Sequence, residues 1–563
     1  MEMLRVAALQ FATGSCAEEN LATCLRMIDA AAVQGAKLLV LPEFCNHISW
    51  YRDQAHAWQE ALEPEGGFLQ AIAARALRHR IHILINVSLR RRHPAISVTS
   101  ILYGPDGTCL GEADKQGLMG HENDFFVPAK EAGKVIDTGI GRIGIFACRD
   151  GISFEPARRL ALMGADLLCN SLNSFAFDEA SLHVPARAAE NRLYLVAANK
   201  VGPLVPGEEL GMVSRLTAIP QALLYGAGES QVVQPDGRAL RRAPRAQEAV
   251  LIADLPPAAE RRRLRGAGLL PRRPEIYRSL LQAPLQANGE SATRTAEAIE
   301  VALVRPLGEG RAALAHVEEL LQQLPASTQL ALLPERFAQT GEHPVAAAVI
   351  RERLQAICQA RNLQVCTSLV EGDAHVGVLL DGSGVRLQQP QLHVERGCGD
   401  ALLTAELEWG RVAILVGDDC LSPELAKMAA LAGAHCLLLP CAAPDTRVAR
   451  GAANGTLDLA LLLAARAAEN RLCLAACAGS AEGMLATLER EFTLMSPWPS
   501  RRFDGNINAP LRTPQSGETT LQVLHPRAAE NKMISANTDL LRDRPLQSCA
   551  ALLRREEEIA CAD

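Results

Sequence analysis

The chain has 563 residues, too many for one hydrophobic core, and its 48% apolar and 21% charged content is ordinary for a globular protein. A net charge of −7 without a basic stripe argues against nucleic acid as the main partner, because neutralising phosphates needs clustered Lys and Arg. No stretch reaches about 18 uncharged apolar residues, so no membrane span is expected. Sixteen Cys without CxxC pairs or finger-like spacing read as mostly buried thiols of a reducing, cytoplasmic compartment, with no metal site.

The opening stretch MEMLRVAALQF reads as a strand rather than a secretion leader. CAEENLATCLRMIDAAAVQGA follows as a helix, with apolar positions at helical spacing and a stop at Gly35. AKLLVLPEF, HRIHILINVSL and VTSILYGPDG read as strands, with GGFLQAIAARALRHR as a helix between the first two. SILYGPDGTCLGEA is a hairpin on a Pro-Asp-Gly turn. RIGIFACRD, ADLLCNSL, LYLVAANKV and SQVVQPDG complete the strands, with the helix FEPARRLALMGA after the first. The class is α/β.

Four segments recur later in the same order. KLLVLPEF (37–44) matches LALLPERF (330–337), and GRIGIFACRDG (141–151) matches GRVAILVGDDC (410–420). RAAENRLYLVAAN (187–199) matches RAAENRLCLAACA (466–478), and LLPRRP (269–274) matches LLRDRP (540–545). The offsets are 293, 269, 279 and 271 residues, so the chain is read as a tandem duplication. The expected organisation is an active domain at 1–280, a polar linker at 281–297, a second domain at 298–548 and a tail at 549–563. A third RAAEN, at 527–531, lies outside this register.

Three first-half residues carry chemistry. Glu43 follows an apolar strand and Pro42, Lys115 follows the hairpin, and Cys148 ends the strand RIGIFA just before a helix. A strand-to-helix turn exposes a nucleophile and aims N–H groups at the reacting centre. A nearby helix N-terminus can also favour thiolate over thiol. A Cys that adds to carbon, a carboxylate that relays the proton and an ammonium that stabilises the oxyanion suffice to cleave an unreactive C–N bond without a cofactor. With seven Lys against fifty Arg in the chain, a Lys marks a place that wants a compact ammonium. His121, Arg149, Asp150, Asn170 and Asn173 are candidate pocket residues. Arg149 is either a clamp for a substrate carboxylate or one half of a salt bridge with Asp150, Glu155 or another acid.

LPEF, the Lys after a hairpin, the Cys followed by an acid, FEPARRLALMGADLL, RAAENRLYLVAAN and GESQVVQPDG together resemble the nitrilase superfamily of carbon–nitrogen hydrolases. The likeness covers essentially all of residues 1–280. It implies an α-β-β-α sandwich in which Glu43 is the general base, Lys115 the oxyanion cation and Cys148 the nucleophile. It also implies that Glu122 orients the lysine and that the Arg149 N–H belongs to the oxyanion hole. The substrates implied are small amides, carbamoyl compounds or nitriles. Acyl transfer on the same site, or a non-catalytic scaffold, remain the alternatives.

In the second half Glu335 keeps the carboxylate position, Gln391 stands where the lysine would be and Gly417 replaces the nucleophile. Cys420, three residues on, is expected not to substitute for it. This half reads as a catalytically dead copy, paired with the first as an internal pseudo-dimer through FEPARRLALMGA and SPELAKMAALAGA. Further homo-oligomerisation is left open.

Overall fold

A computed structural model describes residues 2–266, 272–285, 295–441, 457–478, 484–487, 503–507, 510–514 and 518–555. In the first half the strands are β1 (Leu4–Gln10), β2 (Leu38–Val40), β3 (His82–Arg90), β4 (Ile96–Tyr103), β5 (Cys109–Asp114), β6 (Val135–Thr138), β7 (Gly141–Ala147), β8 (Leu167–Ser171), β9 (Tyr194–Ala198), β10 (Gln231–Val233), β11 (Ala239–Arg242) and β12 (Ala249–Leu255). They form two six-stranded sheets, ordered β12-β1-β2-β3-β4-β5 and β11-β10-β9-β8-β7-β6. The central strands β1–β3 and β7–β9 run parallel; the antiparallel edges come from the hairpins β3-β4-β5, β6-β7 and β10-β11 and from β12, which returns to pair with β1.

Strand alternation explains the layering. In β1, Val6 and Ala8 face the other sheet and pack with Ile143, Ile145, Leu167 and Val196. Ala7 and Leu9, on the opposite face, pack beneath the helices Ala17–Val33 and Gly67–His79. Both faces are covered, so the strand reads as an apolar run rather than an alternation. On the second sheet, Phe146, Leu168 and Leu195 pack against helices Phe154–Leu162 and Val184–Asn191. The result is four layers, α-β-β-α, as expected. AKLLVLPEF contributes only three residues of strand; the chain leaves the sheet at Leu41, and Phe44 takes a left-handed φ of 55°. Strand β12 and the helix Val184–Asn191 were missed by the pattern reading.

The second half contains β13 (Ile299–Val304), β14 (Thr328–Glu335), β15 (Gln364–Glu371), β16 (Ala374–Asp381), β17 (Gly384–Pro390), β18 (Thr404–Leu407), β19 (Gly410–Ile414), β20 (Cys436–Cys441), β21 (Cys473–Ala478), β22 (Met484–Thr487), β23 (Leu511–Pro514) and β24 (Thr519–Leu524). Its sheets, β17-β16-β15-β14-β13-β24 and β18-β19-β20-β21-β22-β23, have the strand orders of the first pair. A second inter-sheet core, including Val301, Leu332, Val412 and Leu438, fills the space between them.

The halves meet helix to helix. Leu182 and Ala186 pack on Leu461, Ala464, Ala465 and Ala468. Buried charges cross the contact reciprocally. Arg187 reaches Glu469 at 2.9 Å while Arg466 pairs with Glu190. Arg158 reaches Glu424 at 2.9 Å while Lys427 lies 3.7 Å from Glu155. Residues at matching positions of the two repeats thus exchange partners, as at a two-fold contact.

The chain segments beyond each sandwich also cross over. The 3₁₀ turn Pro274–Leu281 lies on helix Pro423–Leu431, and Tyr277 Oη is 2.8 Å from His393 Nε2. Helix Leu546–Leu552 lies on Phe154–Leu162. The expected boundary at 548 therefore falls inside a helix, and Cys549 and Leu552 are fully buried rather than part of a free tail. Parts of the expected linker, of LLPRRP and of the tail lie outside the described residues. Among the described residues, no helix is long and apolar enough to cross a membrane.

Candidate active site

Glu43, Lys115 and Glu122 converge at the same end of the first sandwich. Lys115 leaves β5, and its N–H is tied to Val98 O at 2.8 Å. Its Nζ lies 2.8 Å from Glu43 Oε1 and 2.8 Å from both carboxylate oxygens of Glu122. Glu122 is fixed in turn by the Met119 N–H at 2.9 Å. All three side chains are buried. Burial works against the Lys115 charge, but Glu122 and Glu43 hold it protonated well above the usual lysine range.

Cys148 follows β7 at the start of a 3₁₀ turn, with φ at 48°. A non-glycine residue in the left-handed region costs on the order of 1 kcal/mol, so the surroundings must hold it there. Asn170, on the neighbouring strand β8, does so: its Oδ1 accepts the Cys148 N–H at 2.9 Å. The following turn is fixed by Asp150, whose carboxylate accepts the N–H groups of Gln116 (3.1 Å) and Gly117 (2.7 Å).

Burial pushes Glu43 up to about 7, with Lys115 pulling it down and Glu122 pushing it up. Burial and Glu43 also push the Cys148 thiol well above its ordinary value, although Lys115 pulls the other way. Burial and the Glu43 charge thus act in the opposite direction to the one expected from a nearby helix N-terminus.

Residues 5–263 match the family model described as Carbon-nitrogen hydrolase. The first half of this chain belongs to the carbon–nitrogen hydrolase family. It is 28% identical over 239 residues to a nitrilase of Pyrococcus abyssi, a match covering 42% of this chain and 84% of that protein. It is 27% identical over 294 residues to an N-carbamoylputrescine amidase of Solanum lycopersicum, covering 50% and 95%. Among solved structures, an amidase from Nesterenkonia sp. is 25% identical, with a TM-score of 0.39, covering 45% of this chain and 90% of that one.

Of the other residues expected to line the pocket, Asn173 has a buried Oδ1 with no hydrogen-bond partner among the described residues, whereas Asn170, Arg149 and His121 each make at least one defined bond. Asn170 positions the Cys148 backbone, and its Nδ2 has no hydrogen-bond partner among the described residues. The buried Arg149 donates from Nη1 to Asp543 O of the second half at 3.2 Å. His121 Nε2 donates to Ser49 O at 2.7 Å. Arg149 Nε and Nη2 are buried with no hydrogen-bond partner among the described residues.

Glu179 was missed. It lies beyond β8, is buried and pushed up to about 7 by that burial, and its charge is felt by Cys148. The two adjacent acids of FDEASLH give no pattern to find it by. Lys200, also missed, is lowered to about 8 by burial and donates to Phe44 O at 3.1 Å, supporting the turn after Glu43.

In the second half Gly417 repeats the left-handed turn with φ at 57°, and Asp419 accepts the Leu392 and His393 N–H groups at 2.6 and 3.0 Å. A Cβ built on Gly417 would fall 2.6 Å from Gln391 Nε2, so the glutamine side chain occupies the space a nucleophile would need. Cys420 turns into the core, with Sγ 3.2 Å from Leu415 O. Among the described residues, the group able to share a metal ion is His47, His56 and Glu60, whose ligand atoms lie within 4.8 Å of one another; it includes no member of the Glu43–Lys115–Cys148 set.

Proposed function

We propose that the first half hydrolyses a non-peptide C–N bond of a small amide or N-carbamoyl compound with release of ammonia. Lys115 carries this reading: a fully buried ammonium is held 2.8 Å from two glutamates, beside a thiol on a strained turn. The Cys148 sulfur attacks the carbonyl carbon as Glu43 accepts the thiol proton. The oxyanion forms against Lys115 and the Arg149 N–H. Glu43 returns the proton to the nitrogen, the C–N bond breaks, and ammonia leaves a thioester on Cys148. A water that gives its proton to Glu43 attacks the thioester carbon, and the sulfur leaves and is reprotonated. Glu122 keeps Lys115 aimed at the oxygen throughout. The carbamoyl branch draws support from the N-carbamoylputrescine amidase relative, and the nitrile branch from the nitrilase relative.

The second half, in this reading, is a degenerate duplicate that serves as the partner in an internal pseudo-dimer. The shared strand orders and the reciprocal Arg187–Glu469 and Arg466–Glu190 pairs support it.

Ammonia release from a panel of amides, carbamoyl amines, carbamoyl amino acids and nitriles, with Cys148→Ser as the blank, tests the function. Release by the wild type alone is the expected result; equal release by Cys148→Ser overturns it. The pH profile follows from Glu43. Its carboxylate must be unprotonated to accept the thiol proton, and its value is raised to about 7. kcat/KM should therefore fall about tenfold per pH unit below pH 7. The Glu43→Gln variant should lose both that limb and the activity.

A further inference from the structure

The second half grips the loop that carries Glu122. Residues 533–539 of that half form a short hairpin, Met533–Ser535 paired with Thr538–Asp539. Lys532 anchors its base by donating to Asn470 O (3.0 Å) and Arg471 O (2.6 Å) at the end of helix Leu459–Asn470. Ile534 and Leu540, both fully buried, join Ile152 and Ala176 of the first half in one apolar cluster, with Met119 packed against it.

The hairpin tip meets Gly120 through both of its backbone groups. Thr538 Oγ1 accepts the Gly120 N–H at 3.1 Å, and Asn537 Nδ2 donates to Gly120 O at 3.0 Å. Thr538 Oγ1 also accepts from Asn123 Nδ2 at 3.2 Å and lies 3.3 Å from Asn537 Oδ1, to which it donates. Thr538 is fully buried, so water does not compete for these bonds. Gly120 has φ of 57° and is next to Met119, whose N–H holds the Glu122 carboxylate. The chain of contact runs from the hairpin to Gly120, to Met119 and Glu122, and ends on Lys115 Nζ.

We infer that Asn537 and Thr538 are positioning residues for the first-half site, setting Lys115 through the Gly120–Glu122 loop. The inference rests on the proposed site but uses contacts separate from the helix interface. It gives the non-catalytic half a direct task in the chemistry as well as in assembly. Removing the Thr538 hydroxyl leaves a buried Gly120 N–H unpaired and releases the loop, so Lys115 loses the fixed position that Glu122 gives it.

The test uses the full chain and iodoacetamide, a small amide-bearing electrophile, with labelling of Cys148 followed by peptide mass spectrometry. Cys109, which is exposed, is the control within the same molecule. Thr538→Val should slow Cys148 labelling about tenfold and leave Cys109 unchanged. Thr538→Ser, which keeps the hydroxyl, should restore the Cys148 rate. Asn537→Ala provides a second variant should Thr538→Val fail to fold. A Cys148 rate within twofold of wild type in the folded variants, or no rescue by Thr538→Ser, overturns the inference. The readout needs no turnover, so an absence of ammonia release from every panel compound would count against hydrolysis while leaving a slowed Cys148 as evidence for positioning.

Discussion

Replacing Cys148 with Ala should lower ammonia release by a factor on the order of 10⁴ or more, because no other group takes over the attack when a covalent nucleophile is lost. The neighbouring side chains make the expectation specific. Glu43 and Lys115 remain in place in the variant, since Lys115 is held by Glu122 as well as by Glu43. Substrate binding should persist, and kcat should carry the loss. Cys420→Ala is the matching control. That thiol is buried, with Sγ 3.2 Å from Leu415 O. Its removal should cost about 1 kcal/mol of stability and leave turnover intact. Steady-state kinetics on the two variants distinguish these outcomes, and equal loss from both would overturn the assignment of the second half as inactive.

The second large effect is on stability. Arg187→Ala should destabilise the protein by about 3–5 kcal/mol, because it leaves Glu469 and Glu190 buried without their shared cation. Arg187 and Glu469 are both 0% exposed, and Arg187 also lies 3.2 Å from Glu190. Arg466 alone would then face two carboxylates. At about 1–2 °C per kcal/mol for cooperative units of this size, the midpoint of thermal unfolding should drop by roughly 3–8 °C. Arg5→Ala provides the comparison. It removes an ion pair of 2.8 Å to Asp254 whose side chains are 45% and 44% exposed. Solvent screens that pair, and its loss should cost about 0.5 kcal/mol or less. Calorimetry on both variants separates a buried reciprocal network from an ordinary surface pair. Similar midpoints for the two would remove the support that the charged helix contact lends to the internal pseudo-dimer.

Strands and helices whose periodicity was strong were legible in the sequence. LRVAALQF, RIGIFA and FEPARRLAL form elements close to the expected bounds, because local pattern and burial agree there. Glu43, Lys115 and Cys148 were singled out because each follows an apolar run in a nitrilase-like framework, and the structure places Lys115 Nζ 2.8 Å from Glu43 Oε1. The left-handed turn at Cys148 was not, since nothing in the residue type demands it; the Asn170 side chain imposes it from the next strand. The interface charges illustrate the same limit. RAAEN was visible as a repeat, but a five-residue match does not say that its Arg and Glu find their partners in the other copy. Arg149 could equally have met a ligand or an acid from its sequence position, and its contact with Asp543 O depends on a crossing segment nearly 400 residues away. The hairpin grip on Gly120 is of the same kind: TDL and MGHEND carry no shared pattern, and only packing brings them together.

The most direct measurement of the central claim is an acid quench during turnover of the best panel compound, followed by peptide mapping. Under the proposed mechanism the acyl or carbamoyl group is found on the Cys148 peptide, is released by hydroxylamine as a thioester should be, and is absent from Cys148→Ala. Continued ammonia release with Cys148 unmodified in quenched samples, and turnover retained by Cys148→Ala, would contradict it.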